Sequence, residues 1–423
     1  MSLSAVTKRP VRGGSTPRIM EMTGRKSHTA VGDQVPNQFE DSPNTVMGAD
    51  SCVTDPPYEI NFMNRAFDRT GITFDPDFWR LVYRVLKPGA HVCAFAAART
   101  YHRVACAIED AGFEIRGQID WIYGSGMPHG SDAARLIDER LGVERTVTGH
   151  YTATGTGYRS GGRFGNSATN GGDAPREWDV TEATSPMAKR WDGWNTALKP
   201  AHEPIVLARR PLDGCLADNL MAYGTGALHV DACRVPFRGE KDRRRASPGT
   251  VRIRDNRIYG RSRPSPPYDA DARFPPDVLL DPTAADALDA QSGFTVSRKV
   301  APRASVRPGE GWGMTHTGSE YDDAGGASRF FPVFRYEAKA SNRERPMVDG
   351  VLHPTVKPVM LMRWLVRLVT PRGGLVVEPF AGSGATLEAC AVEGMRCMAA
   401  EMDADYVRLI RGRMGRDMQT VLV

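Results

Sequence analysis

The chain has 423 residues, two to three times the usual length of one domain. Hydrophobic residues make up 41% and charged residues 25%, so a buried core can form and a wholly disordered protein is excluded. The formal net charge of +5 is too small to indicate a partner by itself. Because no run of about 18 apolar residues occurs and the first residues lack an apolar stretch, we expect neither a membrane span nor a secretory signal.

The seven cysteines include no C-x-x-C pair and stand among Val, Ala and Met. This spacing favours buried thiols in a reducing cytoplasm over disulfides or zinc ligands. We therefore expect a cytoplasmic protein that needs no metal.

The first half of the chain predicts alternating strands and helices. Residues 1–26 are basic and rich in Ser, Gly and Pro, which predicts a mobile arm. Over 27–211 buried strands, among them 204–208, alternate with helices, one of which is expected to be capped by Thr100. A Gly-rich stretch within this half, about 151–185, has few aliphatic residues and predicts a flexible loop.

The same alternation returns at the other end of the chain, over 351–423. The expected elements are a helix, a strand, a glycine turn, a helix and a strand, at 360–369, 375–378, 380–384, 385–393 and 397–400. Strands interleaved with helices of this length predict an α/β fold with a doubly wound, mostly parallel sheet.

Residues 212–350 differ from both ends because they are irregular, Pro-rich and basic. The density of arginine favours contact with a polyanion over a solvated loop. The arginines proposed to bind it are Arg243, Arg244, Arg245, Arg252 and Arg254.

A glycine-rich turn follows the strand at 375–378. It consists of Phe380, Ala381, Gly382, Ser383 and Gly384. Glycines between a strand and a helix let a ligand approach the backbone, and a carboxylate at the tip of the next strand, Glu401, can bind ribose hydroxyls. The turn lacks the Gly-Lys-Ser/Thr ending of a triphosphate site. The glycines and Glu401 together predict a nucleoside cofactor. The alternative is a glycine turn that packs in the fold and binds no ligand.

A second motif, Asp55-Pro56-Pro57-Tyr58, follows a short strand. Prolines fix the backbone and leave its carbonyls as acceptors, while Asp55 adds a carboxylate and Tyr58 a flat ring. Acceptors beside an aromatic ring suit an exocyclic amino group on a planar base. The alternative is a rigid Pro-Pro turn without a ligand.

Together, Asp-Pro-Pro-Tyr and Phe-x-Gly-x-Gly resemble the two signature motifs of the amino-group DNA methyltransferases, which use S-adenosyl-L-methionine. Their order in this chain, with a basic insert between them, resembles the permuted β class. The resemblance implies a circularly permuted methyltransferase fold, a target recognition domain at 212–350 and double-stranded DNA as the partner. It also implies that the base is flipped out of the duplex and methylated directly, at Asp55, Pro56, Pro57 and Tyr58.

Further segments carry the resemblance. His353-Pro354-Thr355-Val356-Lys357-Pro358 is similar to the family segment that touches the methionine part of the cofactor, which implies contacts from Thr355 and Lys357. Gly32-Asp33 stands where the family has Gly-Asp, which implies that Asp33 contacts the adenine amino group of the cofactor. Several short segments, such as 327–331, resemble segments of methyltransferases of phages and prophages. The resemblance implies a restriction-modification or phage setting, with the protein at the nucleoid.

Two details bear on the target base. Ser265-Pro266-Pro267-Tyr268 matches the variant motif associated with cytosine N4, but no apolar strand precedes it, so we assign catalysis to Asp55. Aspartate in the first position then favours adenine N6 over cytosine N4. An RNA or protein amide methyltransferase and an inactive DNA-binding module remain as alternatives, and the oligomeric state is open, a homodimer included.

Overall fold

The computed structural model describes residues 18–22, 48–61, 66–124, 130–153, 176–237, 272–296, 324–334, 353 and 355–415. They divide into two compact units. One unit combines the described residues up to Ile122 with those from Glu203 onward, and the other is Tyr123–His202. The half expected over 27–211 is therefore interrupted by a unit of its own.

Strands and helices alternate along much of the described chain. The strands are β1 (Arg18–Met22), β2 (Ala49–Thr54), β3 (Leu86–Phe95), β4 (Glu114–Ile122), β5 (Thr146–Ala153), β6 (Arg176–Glu182), β7 (His202–Arg209), β8 (Val235–Pro236), β9 (Ala272–Arg273), β10 (Val278–Leu280), β11 (Thr295–Val296), β12 (Ala324–Gly325), β13 (Leu375–Glu378) and β14 (Arg396–Glu401). The helices are α1 (Pro76–Val85), α2 (Tyr101–Asp110), α3 (Ala133–Leu141), α4 (Pro186–Lys189), α5 (Leu216–Tyr223), α6 (Pro282–Ser292), α7 (Val359–Val369), α8 (Ala385–Val392) and α9 (Ala404–Met414). Short 3₁₀ helices lie at Ala66–Arg69, Ile72–Phe74, Val230–Cys233 and Ala327–Phe330.

Within the described residues, one eight-stranded sheet has the order β1-β14-β13-β2-β3-β7-β4-β10. Strands β14, β13, β2 and β3 are parallel neighbours, and β10 is parallel to β4. Strand β7 runs antiparallel to β3, and β1 runs antiparallel to β14. The predicted α/β fold with a mostly parallel sheet is confirmed.

The core lies along the central strands of this sheet. Strand β2 is buried at every position, and in β3 the run from Val92 to Phe95 has no exposed surface, as expected for parallel strands covered on both faces. Trp79 of α1 and Ile108 of α2 belong to the same apolar cluster. Among the residues with described positions, no helix is long and apolar enough to cross a membrane.

Thr100 occupies the expected position before α2, but its hydroxyl does not cap the helix. Instead Thr100 Oγ1 donates a hydrogen bond to the backbone O of Tyr58 at 3.0 Å. The capping prediction was wrong because a tertiary partner competes for the hydroxyl. The side chain therefore fixes the segment that follows β2.

Three expected irregular regions contain regular structure. Within the arm expected over 1–26, β1 pairs with the edge of the sheet, since Arg18 lies opposite Glu401. Within the loop expected over 151–185, strands β5 and β6 form an antiparallel pair that continues into both ends of the stretch. Within the insert expected over 212–350, β10 joins the central sheet and α6 follows it. In each case strand pairing, which composition does not encode, orders part of the segment.

The Tyr123–His202 unit is built on α3, α4 and the β5–β6 pair. Its buried polar centre is Asp138, whose carboxylate accepts the backbone N–H groups of Thr184 and Ser185 at 3.0 and 3.1 Å. Arg145 lies 3.3 Å from the same carboxylate. This network fixes the chain between β6 and α4 against α3.

Asp50 ties the start of β2 to both neighbouring strands. Its Oδ1 accepts from Lys87 Nζ at 2.8 Å, and its Oδ2 accepts from the backbone N of Leu375 at 2.7 Å. Both side chains are largely buried. Because Leu375 is more than 300 residues away in sequence, this carboxylate joins the two ends of the chain.

We expect the Asp50→Leu variant to lose about 3 kcal/mol of unfolding free energy, because it leaves a buried ammonium and a buried N–H without their partner. Asp50→Asn keeps the acceptor for Leu375 and should lose less. Asp405→Asn is the matched control, since Asp405 pairs with Arg408 on the exposed surface of α9 and should change stability by less than about 1 kcal/mol. Urea denaturation measures all three, and equal stability of Asp50→Leu and Asp405→Asn would contradict the role of Asp50.

Candidate active site

The Asp-Pro-Pro-Tyr motif and the glycine turn meet at one edge of the sheet. Strands β2 and β13 are parallel neighbours, with Cys52 opposite Val377. Parallel strands end at the same edge of a sheet. Asp55, the first residue after β2, therefore lies near the end of β13. Thr54 Oγ1 donates to Glu378 Oε1 at 2.5 Å, which joins the two motifs directly.

Asp55 presents one paired and one unpaired carboxylate oxygen. Its Oδ2 accepts from Lys357 Nζ at 2.7 Å. Its Oδ1 is buried and has no hydrogen-bond partner among the described residues. A buried acceptor without a partner is rare, because desolvation is then uncompensated. Oδ1 is therefore suited to accept an N–H from a bound molecule.

Lys357 is only 8% exposed and lies between two carboxylates. Its Nζ is 2.7 Å from Asp55 Oδ2 and 3.2 Å from Glu203 Oε2. Burial lowers the pKa of Lys357, but the charges and hydrogen bonds of Asp55 and Glu203 outweigh it and raise the pKa above its usual value. The ammonium therefore stays charged. Sequence analysis placed Lys357 at the cofactor; the structure places its charged end on Asp55.

Tyr58 is fixed at both ends. Its hydroxyl donates to Glu203 Oε2 at 2.8 Å, and its backbone O accepts from Thr100. The carbonyl of Pro57 accepts a hydrogen bond from Thr73 Oγ1 at 2.8 Å, which uses one of its two lone pairs. Pro56 is buried next to it. The motif is thus a rigid segment with the Tyr58 ring held in place.

Glu203 is a site residue that sequence analysis missed. It stands at the start of β7, which is antiparallel to β3, with Ile205 opposite Phe95. An antiparallel strand begins at the edge where its parallel neighbours end, so Glu203 reaches the same edge as Asp55. The available signal was a glutamate directly before the predicted strand 204–208, but that the glutamate reaches the site follows only from the direction of β7.

The glycine turn has the backbone that its residues predict. Gly382 and Gly384 have φ values of 52° and 82°, in the left-handed region that favours glycine. A Cβ at Gly382 would lie 3.1 Å from His353 Nε2, so there is little room for a side chain. The Phe380 ring packs against Phe78 with centroids 5.1 Å apart.

Glu401, at the end of β14, lies against this turn. Its Oε2 accepts from the backbone N of Gly382 at 2.7 Å, and its Oε1 accepts from the backbone N of Asp403 at 2.8 Å. Burial raises the pKa of Glu401, while these N–H groups oppose the shift. Each carboxylate oxygen keeps a second lone pair, so the group can also accept from hydroxyls of a ligand.

The segment before α7 also reaches the turn. The His353 ring packs on Tyr406 with centroids 4.5 Å apart, and its Nδ1 lies 2.6 Å from the backbone O of Thr355. Burial lowers the pKa of His353 to about 4, so the ring is neutral at pH 7. The Thr355 side chain is exposed. The structure thus brings Thr355 and Lys357 to the same edge as the two motifs.

The buried carboxyl of Glu378 links the two motifs by hydrogen bonds. Besides the bond from Thr54, its carboxyl accepts from Phe380 N at 3.0 Å and from Thr386 Oγ1 at 2.6 Å. Burial raises the pKa of Glu378 to about 8, although these three hydrogen bonds favour the ionised form. Burial therefore favours the protonated form of this carboxyl at neutral pH.

Several predicted site residues lie outside the described residues. They are Asp33, Arg243, Arg244, Arg245, Arg252 and Arg254. The alternative motif Ser265–Tyr268 also lies outside them.

We expect Glu378 to make stability depend on pH. Its pKa is about 8 in the folded state and 4.5 in the unfolded chain, so the folded state binds more protons between these values. The free energy of unfolding should therefore fall as pH rises from 4.5 to 8, by about 4 kcal/mol from this group. Glu378→Gln removes the titration and should flatten the curve. Urea denaturation across this range tests it; parallel curves for variant and wild type would contradict the shift.

Comparison with known proteins relates the chain to DNA methyltransferases. The Type II methyltransferase M.HindIII of Haemophilus influenzae is 26% identical over 153 residues, 36% of this chain and 36% of that protein. M.ScaI of Streptomyces caespitosus is 25% identical over 89 residues, 21% of this chain and 29% of that protein. The chain thus spans about a third of the length of these curated relatives.

Two solved structures are similar at low identity. The M1.HpyAVI–SAM complex is 12% identical, with 88% of this chain and 90% of that chain covered and a TM-score of 0.35. The PvuII DNA methyltransferase (cytosine-N4-specific) is 12% identical, with 89% and 85% covered and a TM-score of 0.38. The N6_N4_Mtase family model, described as DNA methylase, matches residues 49–412, which contain both motifs and the sheet that joins them. The chain therefore belongs to this family of DNA methylases.

Proposed function

We propose that this protein transfers a methyl group from S-adenosyl-L-methionine to the exocyclic amino group of a base in double-stranded DNA, with adenine N6 as the target. The observation that carries the proposal is the buried, unpaired Asp55 Oδ1; the Lys357 ammonium, which binds the other oxygen of Asp55, lies 5.2 Å from the centre of the Tyr58 ring. A planar base with an amino group carries a hydrogen-bond donor attached to a ring, which is the partner that the unpaired oxygen needs.

The chemical task of Asp55 is to orient the amino group. The nitrogen lone pair of an aromatic amine is delocalised into the ring, so it is a poor nucleophile. Asp55 Oδ1 accepts one amino hydrogen and holds the nitrogen toward the methyl donor. As positive charge develops on this nitrogen, the carboxylate stabilises it. Lys357 holds Oδ2, so the carboxylate cannot rotate freely.

The residues around the glycine turn fit a nucleoside cofactor. Gly382 and Gly384 allow close approach to the backbone, and Glu401 offers acceptors for ribose hydroxyls. Phe380 and Ala381 line the same turn, and Asp33 and Thr355 are proposed to complete the contacts. When bound, S-adenosyl-L-methionine supplies an activated sulfonium methyl, so the protein mainly has to align the two reactants.

The target amino group is inaccessible inside a duplex, so the base has to be flipped out. The Tyr58 ring, anchored through its hydroxyl and its backbone, offers a face on which the flipped base stacks. Arg243, Arg244, Arg245, Arg252 and Arg254 are proposed to bind the phosphates. The order of the motifs supports assignment to the permuted β class.

Adenine N6 is proposed over cytosine N4 because aspartate stands first in Asp55-Pro56-Pro57-Tyr58. A carboxylate oxygen can accept from either amine, so the target base is decided by experiment. Expression in a bacterial host without DNA methylation, followed by single-molecule sequencing, reads the modified base and its sequence context together.

In that host we expect wild-type protein to produce N6-methyladenine at one sequence motif and Asp55→Ala to produce none. Removing the acceptor should lower the methylation rate by at least about 100-fold, as loss of a group acting in the transition state does. Calorimetry should give Asp55→Ala an S-adenosyl-L-methionine Kd within a few-fold of wild type. If N4-methylcytosine is detected instead, the target base is cytosine and the adenine assignment is wrong. Full activity of Asp55→Ala would refute the role of Asp55.

Glu401→Gln is expected to weaken S-adenosyl-L-methionine binding by about tenfold, the effect of one lost charged hydrogen bond. The amide oxygen can still accept one N–H, so the turn should remain folded. Isothermal titration calorimetry measures the Kd, and circular dichroism checks the fold. Asp405→Asn, on the exposed surface of α9, is the control. A Kd equal to wild type would remove Glu401 from the cofactor site.

A further inference from the structure

We propose that Glu203 is a positioning residue of the base pocket, which keeps one oxygen of Asp55 unpaired and holds the hydroxyl end of the Tyr58 ring. The inference rests on the proposed function and deepens it. Glu203 Oε2 accepts from Tyr58 OH at 2.8 Å and lies 3.2 Å from Lys357 Nζ. One carboxylate oxygen therefore contacts both the Tyr58 hydroxyl and the Lys357 ammonium, and this ammonium binds the other oxygen of Asp55, Oδ2.

The first link runs through Lys357. Its ammonium is attracted to both Asp55 and Glu203, and it forms its hydrogen bond to Asp55 through Oδ2 while Oδ1 stays unpaired. With the Glu203 charge removed, Asp55 is the remaining carboxylate within 4 Å of Nζ among the described residues. The ammonium would then move toward both oxygens of Asp55 and cover Oδ1. Glu203 thus keeps the acceptor open by drawing the ammonium to the other side.

The second link runs through Tyr58. Thr100 fixes its backbone O, while Glu203 fixes its hydroxyl at the far end of the ring. Anchors at both ends fix the direction of the long axis of the residue, and Glu203 holds the hydroxyl end. The Lys357 ammonium lies 5.2 Å from the centroid of the Tyr58 ring. Because Tyr58 and Lys357 both contact the Glu203 carboxylate, the positions of both depend on it.

The charges explain why such an arrangement is stable although it is buried. The Glu203 and Lys357 side chains are 14% and 9% exposed and Asp55 is 22% exposed. Two carboxylates and one ammonium leave a net charge of −1 at the edge of the sheet. A donor N–H from a bound base offsets part of this charge, because it places positive hydrogen at Asp55 Oδ1. An occupant that carries only acceptors would be repelled.

Substitutions separate the two links. Glu203→Gln keeps an oxygen acceptor for Tyr58 but removes the charge that holds Lys357. Tyr58→Phe keeps the ring but removes the hydroxyl. Glu203→Ala removes both links. We expect Glu203→Gln and Tyr58→Phe each to lower the single-turnover methylation rate by about tenfold, and Glu203→Ala by about 100-fold, as expected for one and two lost polar contacts.

The matched control is Glu114→Gln. Glu114 pairs with Arg209 at the other end of β7, with Arg209 NH2 2.6 Å from Glu114 Oε2. This variant removes a glutamate ion pair anchored on the same strand but distant from the pocket. It should leave the single-turnover rate within about twofold of wild type, since it changes only strand stability.

The experiment uses full-length protein, saturating S-adenosyl-L-methionine and a DNA duplex that carries the sequence found in the host methylation experiment. Single-turnover rate, cofactor Kd and DNA Kd are measured for each variant at equal folded fraction. We expect the rate to fall while both dissociation constants change less than about threefold, because a positioning effect acts on the transition state. A merely structural role would lower the folded fraction and leave the rate of the folded protein unchanged.

The outcomes are distinct. A rate for Glu203→Gln and Glu203→Ala equal to that of Glu114→Gln would overturn the role of Glu203 while leaving the proposed function intact. Loss of cofactor binding with no change in rate at saturation would overturn it as well. Wild-type protein that methylates no amino base would overturn the proposed function, and the inference with it.

Discussion

The parallel pairing of β2 with β13 is the constraint on which the rest of the structure depends. It places the end of one strand beside the end of another that lies more than 300 residues later in the chain. The Thr54–Glu378 hydrogen bond and the Asp50–Leu375 hydrogen bond lie near opposite ends of this pair. Because the strands are fixed at both ends, the Asp-Pro-Pro-Tyr segment and the glycine turn cannot separate without opening the sheet.

Buried charge is handled in two ways at this edge. Lys357 remains ionised because two carboxylates compensate its desolvation. Glu378, one strand away, has hydrogen-bond donors but no cation within 4 Å among the described residues, and its pKa rises to about 8. The cation is thus concentrated on the Asp55 side and the neutral carboxyl on the turn side. This division leaves a carboxylate with an unpaired oxygen, Asp55 Oδ1, where an amino group is proposed to bind.

The local elements of the site could be predicted from sequence, and its side-chain partners could not. The apolar run before Phe380, the glycines at 382 and 384 and the glutamate at 401 define a strand, a turn and a strand tip through short-range rules, and the structure contains all three. The Lys357–Asp55 pair and the position of Glu203 depend on sheet order and on the antiparallel direction of β7, which no local pattern encodes. Thr100 illustrates the difference, since its position was predicted and its partner was not.

The sheet also constrains how the insert can serve the site. Strand β10 runs parallel to β4, so its end at Leu280 lies at the carboxyl edge of the sheet, the same edge as Asp55. Asp281 then begins α6 by accepting Ala284 N at 2.7 Å, and Phe334 N returns to Leu280 O at 2.6 Å. The described part of the insert therefore leaves and re-enters the sheet at this edge. The insert, which is proposed to recognise DNA, is therefore joined to the sheet at the edge that carries Asp55.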